Sequence, residues 1–184
     1  MGPILTALVT VCVVTTTTPP YGNDAGLATF KNWLDRTRPG YGCDEGPARL
    51  RNSAVEAAYP GRRFYYVLTH ARGIQPPFES SVTMVAEVNE QGQVRPLRSV
   101  EELRVGLMKV SSARSARLAA AAVMSLGSCG ERRWNYSPES FTAKRKGGGW
   151  VCSYEHGARH YLSQVTFDRK GLLAAMSNGA PPVP

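Results

Sequence analysis

The stretch Val88 to Val94, VNEQGQV, has a counterpart seventy-nine residues later at Phe167 to Leu173, FDRKGLL. In each, an apolar residue leads into Asn or Asp, two polar residues, a Gly, one more residue and a final apolar one. Asn and Asp open a turn through their own side chains, and Gly accepts the positive φ that a tight reversal needs. Each copy therefore predicts a hairpin between antiparallel strands that are neighbours in sequence. The pair marks either a degenerate repeat of one fold unit or two ordinary hairpins, and both readings stay open at this stage.

Around these turns the hydrophobic period switches between helix and strand. DAGLATFKNWLDRTR starts with Asp24 as a cap, sets Leu27, Phe30 and Leu34 at helical spacing, and is stopped by Arg38-Pro39-Gly40. GPARLRNSAVEAAYPG predicts a second helix starting near Pro47 and stopping at Pro60-Gly61, with a weak stripe of Leu50, Ala54, Ala57 and Ala58. RRFYYVLTH and SVTMVAEV read as a pair of strands, and VRPLR as a third that Pro96 confines to an edge or a strand end. Ser99 and Glu102 form a capping-box pattern for a short helix. SSARSARLAAAAVMSLG is the strongest helix, capped by Ser111 or Ser112, with Leu118, Ala122, Val123 and Leu126 on one face and Gly127 as stop. Four further strands follow, SFTAKRK, GWVCSYEH, YLSQVTFD and GLLAAM, before an irregular NGAPPVP tail.

These elements imply an α+β fold, an antiparallel β-sheet of meander hairpins with two to four helices packed on one face. One continuous sheet is the expected arrangement, with two degenerate helix-plus-hairpin units, residues 24–110 and 111–178, as its internal organisation. A chain of 184 residues buries one sizeable core, so residues 21–184 read as a single domain behind a segment, 1–20, with the character of a leader. Pro3 to Val14 is free of charge, suited in length to the apolar part of a secretory signal and too short to span a bilayer. No Lys or Arg precedes it and no small-x-small site follows, and Cys12 sits after Val11 where a lipobox has a small residue. Export to a periplasmic or extracellular compartment is the expectation, and the cytoplasm the alternative.

Cysteine and charge distribution add to this. Beyond Cys12 there are Cys43, Cys129 and Cys152, and an exported protein is expected to bridge Cys129 to Cys152, both in the C-terminal unit, with three free thiols in a cytosolic protein as the competing outcome. Residues 1–92 carry eight Lys or Arg against eight Asp or Glu, whereas residues 93–184 carry fourteen against six. The whole net charge of +8 thus lies in the second half. A basic face attracts anionic partners, and Arg132, Arg133, Trp134, Lys144, Arg145 and Lys146 are the candidate contacts, with Tyr136 as a further stacking group. Only Lys144-Arg145-Lys146 is an uninterrupted basic run, and dispersed solvated charge is the bland reading of the rest.

Catalytic chemistry finds little footing. Cys152, His156 and His160 give C-x3-H-x3-H, which lacks the close Cys pair of most zinc sites. Cys129 follows a helix, at the end whose dipole disfavours a thiolate. Asp44-Glu45 and Glu101-Glu102 are adjacent, which sends their side chains apart, and Gly147 to Gly149 lacks the Lys-Ser/Thr of a phosphate loop. A Gly-x-Ser-x-Gly elbow is missing as well. No catalytic residue, metal ligand or cofactor is assigned.

From Ser112 to Ser177, the helix and meander ending in VTFDRKGLLAAM resemble the small exported PepSY-type and cystatin-like α+β units, with VAEVNEQGQVRPL as a degenerate earlier copy. The resemblance implies a helix lying across an antiparallel sheet, a place outside the cytoplasm, and action by binding, for instance restraint of a protease. QGQVRPL does not match the Gln-x-Val-x-Gly loop of an inhibitory cystatin, so inhibition of cysteine proteases is not carried over. Three functions follow as expectations: a non-catalytic exported module binding a protein or envelope component; an anion- or nucleic-acid-binding module using the basic second half; and a small thiol-dependent enzyme on Cys43 or Cys129 with a His.

Overall fold

The computed structural model describes residues 24–38, 41–71, 82–127, 136–156 and 161–180. Helix α1 (Ala25–Thr37) is followed by strand β1 (Tyr41–Arg49), helix α2 (Ser53–Ala58) and strands β2 (Phe64–Ala71), β3 (Val82–Val88) and β4 (Val94–Pro96). The short helix α3 (Val100–Arg104) leads to the long helix α4 (Ala113–Gly127), a 3-10 turn at Pro138–Ser140, and strands β5 (Thr142–Lys146), β6 (Gly149–His156), β7 (Tyr161–Phe167) and β8 (Leu173–Ala180). The α+β class with antiparallel meanders stands, but the single continuous sheet does not: the strands form two four-stranded sheets, β1-β2-β3-β4 and β5-β6-β7-β8. The first sheet ends on a three-residue strand closed by Pro96, which cannot donate a ladder hydrogen bond, and the chain then turns into helices rather than into a fifth strand.

Local chemistry accounts for each boundary. Asp24 caps α1 by accepting from the amides of Gly26 at 3.0 Å and Leu27 at 3.3 Å, and the Tyr65 hydroxyl donates to the same carboxylate oxygen at 2.7 Å. Burial alone raises the Asp24 carboxyl's pKa, but these bonds, with Arg49 beside it, outweigh that and hold it below the usual carboxylate value. Helix α3 has its capping box, Ser99 and Glu102 bonding reciprocally. The start expected near Pro47 is corrected: Pro47 lies in β1 within a register irregularity, Leu50 donates to the Phe64 carbonyl at 2.8 Å, and α2 begins only after Asn52, whose side chain accepts from the Val55 amide at 3.0 Å. At the C-terminus, β8 runs on to Ala180, taking in the first part of a tail expected to be irregular.

The first sheet is buried on both faces. Phe30 and Leu34 of α1 cover Tyr65, Val67, Ala86 and Val88. On the opposite face Phe64 and Val85 join α2 and α4 in a core shared with the second sheet's Cys152, Val165, Phe167 and Leu173. Helix α4 lies at the centre of that core, with Ala116 and Ala119 to Ala122 all at 0% exposure. Glu87 is buried on the same face of the first sheet, held between Arg62, 2.6 Å away, and Arg95.

The two turns that opened the comparison are the same object. Asn89 donates its amide to the Gln93 carbonyl at 3.1 Å, and Gly92 donates to the Asn89 carbonyl at 3.0 Å. Asp168 donates to Leu172 and Gly171 to Asp168, each at 2.9 Å. The Asn89 side-chain oxygen takes the Gln93 amide at 2.8 Å, and an Asp168 carboxylate oxygen takes the Leu172 amide at 2.9 Å. Gly92 and Gly171 have φ of 73° and 76°. Both turns join the third and fourth strands of a helix-plus-meander unit, so the organisation is a repeat, with α2 inserted only in the first copy.

The copies differ in what the turn touches. A Cβ on Gly92 meets only the Thr29 methyl at 3.9 Å, whereas one on Gly171 falls 2.0 Å from the Val110 carbonyl oxygen, because Val110 donates its amide to Gly171 at 3.0 Å and holds the turn against the α3–α4 connection. Gly92→Ala is expected to cost about 1 kcal/mol through its left-handed backbone alone. Gly171→Ala is expected to cost about 3 kcal/mol or more, since a backbone contact must also break. Urea unfolding of both variants checks this, and equal costs would mean that the second turn is not docked on Val110.

Candidate anion-binding cleft

Alternation along β5 separates the basic run that stands out in the sequence. Lys144 pairs with Val151 and Lys146 with Gly149, while Arg145 pairs with Trp150 and Ala143 with Cys152. Successive side chains point to opposite faces, so Lys144 and Lys146 lie on the face away from Cys152 and the core, and Arg145 lies on the core side. The three cations do not act at one point. Arg132, Arg133 and Trp134 are outside the described residues. Tyr136, expected as a stacking group, is buried at 6% exposure among Phe141 and Tyr154, with ring centroids 5.9 and 5.1 Å away.

Arg145 instead belongs to a constellation assembled from three segments. Its guanidinium lies over the half-buried Trp150 indole, Cζ 5.6 Å from the ring centroid, in a cation–π contact. Lys109, Val110 and Ser111 of the α3–α4 connection, Gly148 and Trp150 of the β5–β6 hairpin, and Asp168, Arg169 and Lys170 of the β7–β8 turn line a cleft of about 210 Å³ with Arg145. The docking of Gly171 on Val110 brings the turn to the connection. At the hairpin tip, Gly148 has φ of 83°, and a Cβ there would stand 3.0 Å from the Arg169 Cγ, so the glycine lets the Arg169 stem cross the turn.

The electrostatics are one-sided. Lys109, Arg145, Arg169 and Lys170 face a single carboxylate, Asp168. One Asp168 oxygen accepts from the amides of Lys170 at 2.8 Å and Leu172 at 2.9 Å, and these bonds, the Leu172 one foremost, keep the carboxyl below its usual pKa. Asp168 is thus an ionised turn former, and among the described residues no carboxylate lies within ion-pairing distance of the four cations. At the start of α4 the Ser112 hydroxyl accepts from the Ser115 amide at 3.1 Å, and the Ser115 hydroxyl accepts from the amides of Ser111 at 3.0 Å and Ser112 at 2.9 Å. Lys109, Trp150, Arg169 and Lys170 escaped the sequence reading because three segments separated by tens of residues bring them together; the repeated turn was the one signal pointing to Arg169 and Lys170.

Cys152 corrects a further expectation. It is a free thiol at 0% exposure in the core beneath α4, on a strand position that faces inward, so the expected bridge between Cys129 and Cys152 is not formed; Cys129 itself lies outside the described residues. Burial pushes the thiol up to about 12, with Arg117 opposing. Among the described residues no three His, Cys, Asp or Glu side chains gather to hold a metal ion. His160, and the side chain of His156, fall outside what is described. No described helix is long and apolar enough to cross a membrane. No protein-family model, curated protein or solved structure matches the chain.

Cys152 should react with a soluble maleimide at pH 8 on the order of a thousandfold more slowly in the folded protein than after unfolding, because both thiolate and access are suppressed. Peptide mapping after timed labelling reads this residue separately from the other cysteines. Equal rates in the two states would show that the strand does not bury it.

Proposed function

We propose that the chain is a non-catalytic binding module that takes an anionic part of a protein or cell-envelope partner into the cleft of its second unit. The observation that carries this reading is the convergence of Lys109, Arg145, Arg169 and Lys170 on one cleft, with a lone carboxylate that is engaged in its own turn. Four cations gathered around a single carboxylate leave an excess of positive charge, and an anion relieves the repulsion among them. The likeness to PepSY-type and cystatin-like units belongs to the same reading, supported by α4 packing on a meander whose last two strands are joined by the Asp168–Gly171 turn. Nucleic acid is the competing partner, and the burial of Tyr136 removes one of the stacking groups it would use.

A panel of polyglutamate, polyphosphate and a single-stranded oligonucleotide, titrated at low salt by anisotropy, tests the reading. At least one should bind, weaken as salt rises, and lose about tenfold or more in affinity in Lys109→Ala/Arg169→Ala/Lys170→Ala, while Lys144→Ala/Lys146→Ala binds as the parent does. No binding to any polyanion, or equal losses in the two variants, would overturn it.

Export is part of the proposal, supported by the uncharged stretch from Pro3 to Val14 and receiving no support from the unbridged Cys152. Intact mass of the protein recovered from separated cell fractions is expected to lack the first twenty or so residues, as signal-peptide lengths imply. A full-length mass confined to the cytosolic fraction would refute export.

A further inference from the structure

Resting on that reading of the cleft, we propose that the anionic group it takes is a phosphoryl group, carried as a terminal monoester on the partner. The Arg145 guanidinium lies over the Trp150 ring, 5.6 Å from its centroid, and its fork of N–H donors suits a bidentate pair of oxygens. The other cations approach from different segments, Lys109 from the α3–α4 connection and Arg169 with Lys170 from the β7–β8 turn. A carboxylate has two oxygens in one plane and one charge. A phosphoryl group has three terminal oxygens in a pyramid and close to two charges, so cations arriving from several directions match it better.

Size points the same way. The cleft of about 210 Å³ is smaller than the roughly 300–1,000 Å³ pockets that hold drug-sized ligands, so it suits a phosphoryl group with its ester linkage, not a run of nucleotides. The converging arrangement also differs from the extended basic groove by which a protein tracks a nucleic-acid backbone. Comparison of the two repeats singles the cleft out. The first copy of the turn carries Glu90 and Gln91 at the places taken by Arg169 and Lys170 in the second, on the same hydrogen-bonded frame. The turn geometry is met with either charge, so the basic pair is not required by the fold. Gly147 and Gly148 acquire a role too: they form the hairpin tip across which Arg169 lies.

Calorimetry of the full chain at low salt with inorganic phosphate, methyl phosphate and acetate tests the inference. Phosphate and methyl phosphate should each bind one per chain, with acetate about tenfold weaker or worse. Arg145→Lys keeps the charge but loses the fork, and should weaken methyl phosphate about tenfold or more. Arg169→Ala, an exposed substitution in the second turn, should weaken it as well, and Lys144→Ala should leave it unchanged. Acetate binding as tightly as phosphate, Arg145→Lys binding like the parent, or inorganic phosphate binding without methyl phosphate would each overturn the proposal. So would an oligonucleotide whose affinity grows with length beyond that of methyl phosphate. Cleft-dependent polyglutamate binding without any phosphate binding would refute the phosphoryl group and leave the binding-module reading intact, whereas failure of every anion would remove both.

Discussion

The larger core is arranged around α4, whose middle, Ala119 to Met124, is buried on all sides. A helical stretch covered all round has no polar residue, and here Ala116 with Ala119 to Ala122 supplies a surface on which neighbours can sit close to the backbone, while Arg114, Ser115 and Arg117 reach the surface from the first turns. Ala54, Val55 and Ala58 of α2 meet it from the first unit, and Cys152, Val165 and Phe167 from the second. Alanine buries little area itself, so the larger rings of Tyr59, Phe64, Phe141 and Phe167 supply much of the apolar surface removed from water. A polar link crosses this helix pair, with the Asn52 amide donating to the Ser125 hydroxyl at 3.2 Å, while that hydroxyl donates to the Ala121 carbonyl at 2.8 Å. The same Asn52 caps α2, so its position is set from both sides.

Because the middle of α4, Ala119 to Met124, needs cover on every side, one sheet is not enough for it, and this is the physical reason for two meanders in place of the single sheet that the strand pattern suggested. Alternation of apolar and polar residues tells which face of a strand is buried, but not which edge finds a partner. What the pattern does specify was legible. Asp24, Ser99 and Asn or Asp before a Gly three residues on are local devices, satisfied within a few residues, and each formed where it was expected. Pro47 misled because a proline near a helix start and a proline in an irregular edge strand look alike until the pairing of Leu50 with Phe64 is known.

The candidate site was less legible for a related reason. A basic run in sequence suggests a basic patch in space, yet the two-residue period of β5 turns Arg145 away from Lys144 and Lys146. The groups that do gather with Arg145 belong to a connection, a hairpin tip and a turn, and only the closing of the second sheet around α4 makes them neighbours. Cys152 shows the same limit. Its partner was inferred from the compartment and from both cysteines lying in the C-terminal unit, while its actual state follows from a parity that places it under the helix.

Comparison of the two units separates what the fold requires from what it permits. The first unit neutralises its inward-facing arginines: Glu87, buried on β3, is shared by Arg62 and Arg95, and Arg95 also donates to the Glu102 carbonyl at 2.8 Å. Removing one partner from such a buried set leaves an uncompensated charge, which makes the arrangement structural. Seventy-nine residues on, the residue matching Glu87 is Thr166 and the one matching Arg95 is Ala174, so the second unit has no copy of that set. Its cations sit instead at the end of the sheet, exposed around Trp150, and the one nearby acid is engaged with the turn's own amides. The repeated frame thus carries its charge in two ways: satisfied internally in the first copy, where it fixes packing, and gathered exposed at the end of the sheet in the second, where packing does not call for it.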